Sequence, residues 1–142
     1  MTGKGDAYLK QYEIAVNATQ QVSSWRQNAN NFYLTANTIL FSLDSYLVLV
    51  NISGWFIISL LGVIISVLWL QTITYYRNLN SVKFKAIHKM EKRLPIALYT
   101  DEWEDMKAKQ NLTTTSIEKW VPILFLVAYL LIFADYVLTI FG

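Results

Sequence analysis

Apolar positions fall into three long blocks, residues 31–50, 55–75 and 120–141, separated by polar chain. Each block is close to the ~20 residues that a helix needs to cross a hydrocarbon core, so the pattern predicts three membrane-spanning helices. Only Asn51-Ile52-Ser53-Gly54 lies between the first two, a tight turn that makes them antiparallel neighbours. The helical pattern runs on past the blocks. Asp6 to Ile52 contains no Gly or Pro, and Tyr12, Ala15, Thr19, Val22, Ala29, Tyr33, Ala36, Leu40, Leu43, Leu47 and Val50 keep a 3–4 spacing interrupted at Arg26. That spacing reads as a coiled-coil seam. From Trp55 to Leu94 the only breaker is Gly62, and Leu79, Val82, Ala86, Met90 and Leu94 continue a helical face until Pro95.

The expected fold is therefore an all-α membrane protein of one domain, with helices over residues 6–52, 55–94 and 117–141. The first two form a long antiparallel hairpin, and at about 60 Å each they project roughly half their length beyond the bilayer. A short helix over 100–110, capped by Thr100 and opening on Asp101, Glu102, Glu104 and Asp105, is expected between the second and third spans, and Ser116 caps the third.

Polar residues break the first block in a regular way. Asn30, Asn37, Asp44 and Asn51 recur every seven residues, so with about 20° of drift per step they share one face over roughly 30 Å. A carboxylate or amide facing lipid costs several kcal/mol, so this stripe should face protein, another copy of the chain, or water. Leu34, Phe41 and Val48 interleave with it and are candidate apolar constrictions if the helix lines a pore. Thr35, Thr38, Ser42 and Ser45 widen the polar arc. On the second helix Ser59, Gly62 and Ser66 form a small-residue stripe, suited either to packing within one subunit or to contact between copies. Asp135 is a second intramembrane acid at a depth similar to that of Asp44, about 10 Å from the outer end. No Lys or Arg lies at that level, so each acid must be hydrogen-bonded, wet, paired with a cation, or protonated. Folding the hairpin about residues 52 and 53 brings Glu13 near Lys92, Arg26 near Asn80, Asn30 near Tyr75, and Asp44 near Gly62.

Charge gives the orientation. Lys4, Lys10 and Arg26 precede the first span and nine Lys or Arg residues lie between the second and third, while the 51–54 turn and the C-terminal end carry none. The positive-inside rule then puts the N-terminus and central region in the cytoplasm and the C-terminus outside. The apolar run starts some thirty residues in and lacks a cleavage-site pattern, which argues against a cleaved signal peptide.

Composition agrees with the pattern, with 54% hydrophobic and 15% charged residues among 142. There is no cysteine, which removes thiol chemistry and cysteine metal sites. The single histidine, His88, sits among Lys85, Lys89 and Lys92 and reads as a solvated residue. No phosphate loop, nucleophile elbow or zinc spacing occurs, so neither an enzyme nor a cofactor, a metal centre or a nucleic-acid partner is expected. The expected partners are other copies of the chain, membrane lipids and inorganic cations, with a soluble protein on the cytoplasmic helices left open.

The blocks Tyr12-Glu-Ile-Ala-Val16, 25–38 (Trp-Arg-Gln-Asn-Ala-Asn-Asn-Phe-Tyr-Leu-Thr-Ala-Asn-Thr), 76–95 and Glu102-Trp103 resemble a family of small bacterial integral membrane proteins. The resemblance covers most of the chain and implies a homo-oligomer, an octamer. The family pattern has an acidic residue and an Arg-Arg pair around this chain's Asn17 and Trp25-Arg26, where this sequence departs from it. The architecture also resembles the SLATT-type membrane effectors of bacterial conflict systems.

The leading expectation is a homo-oligomeric pore or channel-like assembly in the bacterial inner membrane, with the first helix nearest the axis. The alternatives are a non-conducting membrane scaffold whose cytoplasmic helices recruit a partner, and an effector that depolarises the membrane.

Overall fold

The computed structural model describes residues 3–93 and 114–142 of the chain. Three helices account for nearly all of them: α1 (Gly3–Leu49), α2 (Trp55–Glu91) and α3 (Thr114–Phe141). Each contains a stretch long and apolar enough to cross a membrane. The expected short helix over 100–110, its Thr100 cap and the Leu94-Pro95 stop lie outside the described residues, and so does the Ser116 side chain.

Helix α1 ends earlier than its apolar pattern, for a reason visible in the backbone. Asn51 adopts a left-handed conformation, φ 53°. The Ile52 amide then donates to the Leu47 carbonyl at 3.2 Å and the Asn51 amide to Val48 at 3.2 Å. This pair of bonds is a Schellman cap, in which Asn is one of the few side chains that tolerate the required φ. Gly54, with φ 96°, starts α2, and its carbonyl accepts the Ile57 amide at 3.1 Å.

The chain divides into two compact units, one from the described parts of Met1–Gln27 and Tyr75–Thr113, the other from Asn28–Thr74 and Thr114–Gly142. In the first unit Thr19, Val22, Ile87 and Glu91 are buried. Tyr8 donates its hydroxyl to the Met90 carbonyl at 2.5 Å, and Tyr12 donates to Glu91 Oε1 at 2.8 Å. The Arg93 guanidinium lies 6.0 Å from the centre of the Tyr8 ring.

The second unit packs the apolar stretches of all three helices, yet many of its most buried side chains are small or polar: Asn37, Asp44, Ser59 and Ser66, beside Trp69, Ile73 and Tyr129. Such a core suits helices that associate in lipid. There the hydrophobic effect gives no net pull between helices, and close approach at small residues together with interhelical hydrogen bonds takes its place.

Candidate functional site: two polar faces of one helix

Within the second unit the polar heptad meets a matching ladder on α2. Ser59 Oγ donates to Asp44 Oδ2 at 2.6 Å. Ser66 Oγ donates to Asn37 Oδ1 at 3.1 Å, and Trp69 Nε1 donates to Asn30 Oδ1 at 2.9 Å. As residue number rises on α1 it falls on α2, so the two run antiparallel here. Both side-chain polar atoms of Asn37 are bonded, because its Nδ2 also donates to the Tyr33 carbonyl at 3.0 Å, and its backbone carbonyl accepts the Tyr129 hydroxyl at 3.0 Å. Asp44 differs, since its Oδ1 is buried with no hydrogen-bond partner among the described residues.

Several sequence expectations are corrected by this geometry. Asn37 and Asp44, expected to line a pore, have no exposed surface and face α2 and α3 of their own chain. Asn51 is an exposed helix cap instead of a pore-facing rung. Phe41 is not a free constriction: its ring stands edge-on to Phe125 at 6.2 Å and to Tyr129 at 5.8 Å. Leu34 and Val48 are exposed. The partner of Asp44 is Ser59, not Gly62, because the Schellman cap moves the midpoint of the turn about one residue earlier, and Asn30 bonds to Trp69, not Tyr75, because the long indole side chain reaches it from about one further turn away. At the level where Glu13 and Lys92 were expected to meet, both are exposed and the bond runs from Tyr12 to Glu91. Arg26 and Asn80 are half-buried.

The small-residue stripe belongs to the interior of the chain. Ser59 and Ser66 are buried completely, and a Cβ built on Gly62 would overlap the Tyr129 ring. That ring occupies the notch left by the missing side chain and reaches the α1 backbone. Tyr129 and Trp69, which supply key donors, were not singled out from the sequence, and Tyr33 was placed only in the helical seam. The signal was available: a Tyr or Trp deep in an apolar span carries one polar atom that needs a partner. Tyr33 stacks on Trp69 at 6.0 Å and shares a 3.1 Å hydrogen bond with Thr72.

With Asn30, Asn37 and Asp44 facing inward, a second polar stripe stays on the surface. Asn31, Thr35, Thr38, Ser42 and Ser45 are all exposed, and their alternating spacing of four and three residues keeps them on one side of α1 over about 20 Å. Thr38, Ser42 and Ser45 each donate to the carbonyl four residues back, at 2.7 to 2.8 Å. Their donors are thereby satisfied, while the oxygen lone pairs remain able to accept. Over residues 31–45 the other exposed side chains of α1 are apolar: Phe32, Ile39 and Leu43 on the neighbouring side, and Leu34 between the stripe and the buried face.

Asp135 lies on the same side as this second stripe. Tyr129 meets Asn37 and Gly62, while Tyr136 meets Trp55 and Phe56 near the start of α2. Helix α3 is therefore antiparallel to α2 and parallel to α1. At about 100° per residue, the stripe lies ~40–120° forward of Phe41 around α1, and Asp135 lies ~80° back from Phe125 around α3. Phe41 and Phe125 face each other, so opposite offsets on parallel helices turn both groups the same way. Asp135 is exposed and within about one helical turn of the depth of Ser45. Among the described residues no cluster of His, Cys, Asp or Glu is arranged to hold a metal ion.

Neither a curated protein nor a solved structure matches the chain. The model of the octameric membrane protein family (8xMP), however, matches residues 9–138. The match takes in both units, the turn and all three apolar stretches, and with it the chain is placed: it belongs to the octameric membrane protein family, as a homo-oligomeric, multi-pass membrane protein.

Proposed function

We propose that copies of this chain form a pore or channel-like assembly in the bacterial inner membrane, with α1 nearest the axis and its second polar stripe toward the lumen. The observation that carries this reading is the division of the exposed surface of α1 within its apolar stretch into a polar side, Asn31 to Ser45, and an apolar side, Phe32, Ile39 and Leu43. In lipid alone such a division has no purpose, since both sides would meet hydrocarbon and the exposed Asn31 amide would cost free energy there. In a ring of copies the polar side can face water and the apolar side lipid or a neighbouring subunit. Orientation follows the basic residues, with the N-terminus and the charged unit in the cytoplasm and Gly142 outside. The cytoplasmic helices then form a vestibule or receive a gating signal.

The absence of native cysteine allows a direct test. Thr38→Cys and Ser42→Cys in membranes should react with a membrane-impermeant methanethiosulfonate reagent, and Ile39→Cys and Leu43→Cys should not. Planar bilayers containing the assembly should conduct, with a conductance that drops on modification of Ser42→Cys. Unreactive stripe positions together with silent bilayers would sink the pore reading. A non-conducting scaffold is the second reading, supported by the exposed Leu9, Ile14 and Val82 in the charged unit. It predicts unreactive stripe cysteines and loss of function on replacing those three residues by Ser.

A further inference from the structure

We infer that Asp135 forms a cation-selecting ring at the outer part of the lumen, one carboxylate per copy, an inference that rests on the pore reading. The sequence offers two intramembrane acids for this task, Asp44 and Asp135. The structure separates them. Asp44 has no exposed surface and holds Ser59 at 2.6 Å inside the chain, whereas Asp135 is exposed, and its backbone carbonyl accepts the Thr139 hydroxyl at 2.9 Å.

Three observations converge on Asp135. It is on the side of the α1–α3 pair that carries Thr38, Ser42 and Ser45, and at nearly the depth of Ser45. Those hydroxyls give their protons to carbonyls of their own helix, which leaves oxygen lone pairs as the groups offered outward. Oxygen acceptors beside a carboxylate suit hard monovalent cations such as K⁺ or Na⁺. Finally, no Lys or Arg lies between residues 120 and 142 or between 27 and 76. A carboxylate exposed there has no Lys or Arg in these apolar stretches to neutralise it, in its own chain or in a copy inserted the same way.

The site is incomplete in one chain. Copies with a common orientation in the membrane are related by rotation about its normal, so each closed ring sets all its Asp135 carboxylates at one depth. A single unit charge about 6 Å from a monovalent ion in water changes the local ion concentration about threefold, and a ring does more.

The test uses the full-length assembly in planar bilayers under a KCl gradient, reading the reversal potential. Wild type should be cation-selective, Asp135→Asn should lower the K⁺/Cl⁻ permeability ratio by about threefold or more, and Asp135→Glu should keep it. Asp44→Asn serves as the control and should leave the ratio unchanged. Conduction with the same ratio in Asp135→Asn as in wild type overturns the ring and leaves the pore standing. Silence in all variants overturns both. Asp135→Cys gives a readout that does not need conduction: an impermeant thiol reagent added from outside should label it, and a site that stays unlabelled is in lipid or protein, which also overturns the ring.

Discussion

Replacing Gly62 by alanine tests how the three helices are held together, because it adds one methyl group where the Tyr129 ring of α3 lies against α2. The new Cβ would overlap the ring of Tyr129, which has no exposed surface. The ring has little freedom to move: it lies 5.8 Å from Phe41 and 6.5 Å from Phe125, and its hydroxyl is tied to the Asn37 carbonyl at 3.0 Å. Overpacking a rigid site of this kind costs ~1–3 kcal/mol. Pulling the hydroxyl away from Asn37 adds about 1 kcal/mol. Against this, alanine gains roughly 0.5–1 kcal/mol over glycine as a helix residue. The expected net loss is ~1–3 kcal/mol, or a factor of about 5 to 150 in the unfolding equilibrium. Reversible unfolding in mixed micelles with rising dodecyl sulfate would measure it. Tyr129→Leu removes the ring that is struck, so Gly62→Ala should cost clearly less in that background, a coupling that a double-mutant cycle isolates. A Gly62→Ala protein as stable as wild type, or an equal cost with and without the Tyr129 ring, would refute the reasoning.

Two further outcomes follow from the same contacts. Asp44→Asn keeps an oxygen acceptor for Ser59 and should change stability by less than ~1 kcal/mol, whereas Asp44→Ala leaves the buried serine without its interhelical partner and should cost ~1–2 kcal/mol in the same unfolding assay. At the turn, Asn51→Gly should be close to neutral, since glycine accepts the 53° φ, while Asn51→Val forces a β-branched side chain into the left-handed region and should cost at least ~1–2 kcal/mol.

Much of the fold was legible because hydropathy and helix breakers are local properties. The three apolar blocks, the turn at 51–54 and the single glycine in the second helix can be read directly, and α1, α2 and α3 follow them to within a few residues. The departure with consequences for packing is the end of α1. The apolar run continues through Ile52, but the left-handed Asn51 stops the helix at Leu49 and moves the pairing with α2. Asn-Ile-Ser-Gly signals a turn, yet which residue takes the positive φ depends on hydrogen bonds back to Leu47 and Val48 that no pattern displays.

By itself the sequence determined that α1 carries more polar groups than lipid tolerates and that these recur with a helical period. Only the tertiary structure decided which of them are already satisfied. Asn30, Asn37 and Asp44 differ from Asn31, Thr38 and Ser45 by one position, about 100° around the helix. That rotation separates a stripe bonded to Trp69, Ser66 and Ser59 of the same chain from one left open on the surface. Periodicity cannot distinguish them, because a polar face needs a partner equally whether the partner is another helix of the chain, a second copy, or water. Distances settle the matter for Asn30, Asn37 and Asp44, and their bonds inside the chain turn attention to the second stripe and Asp135.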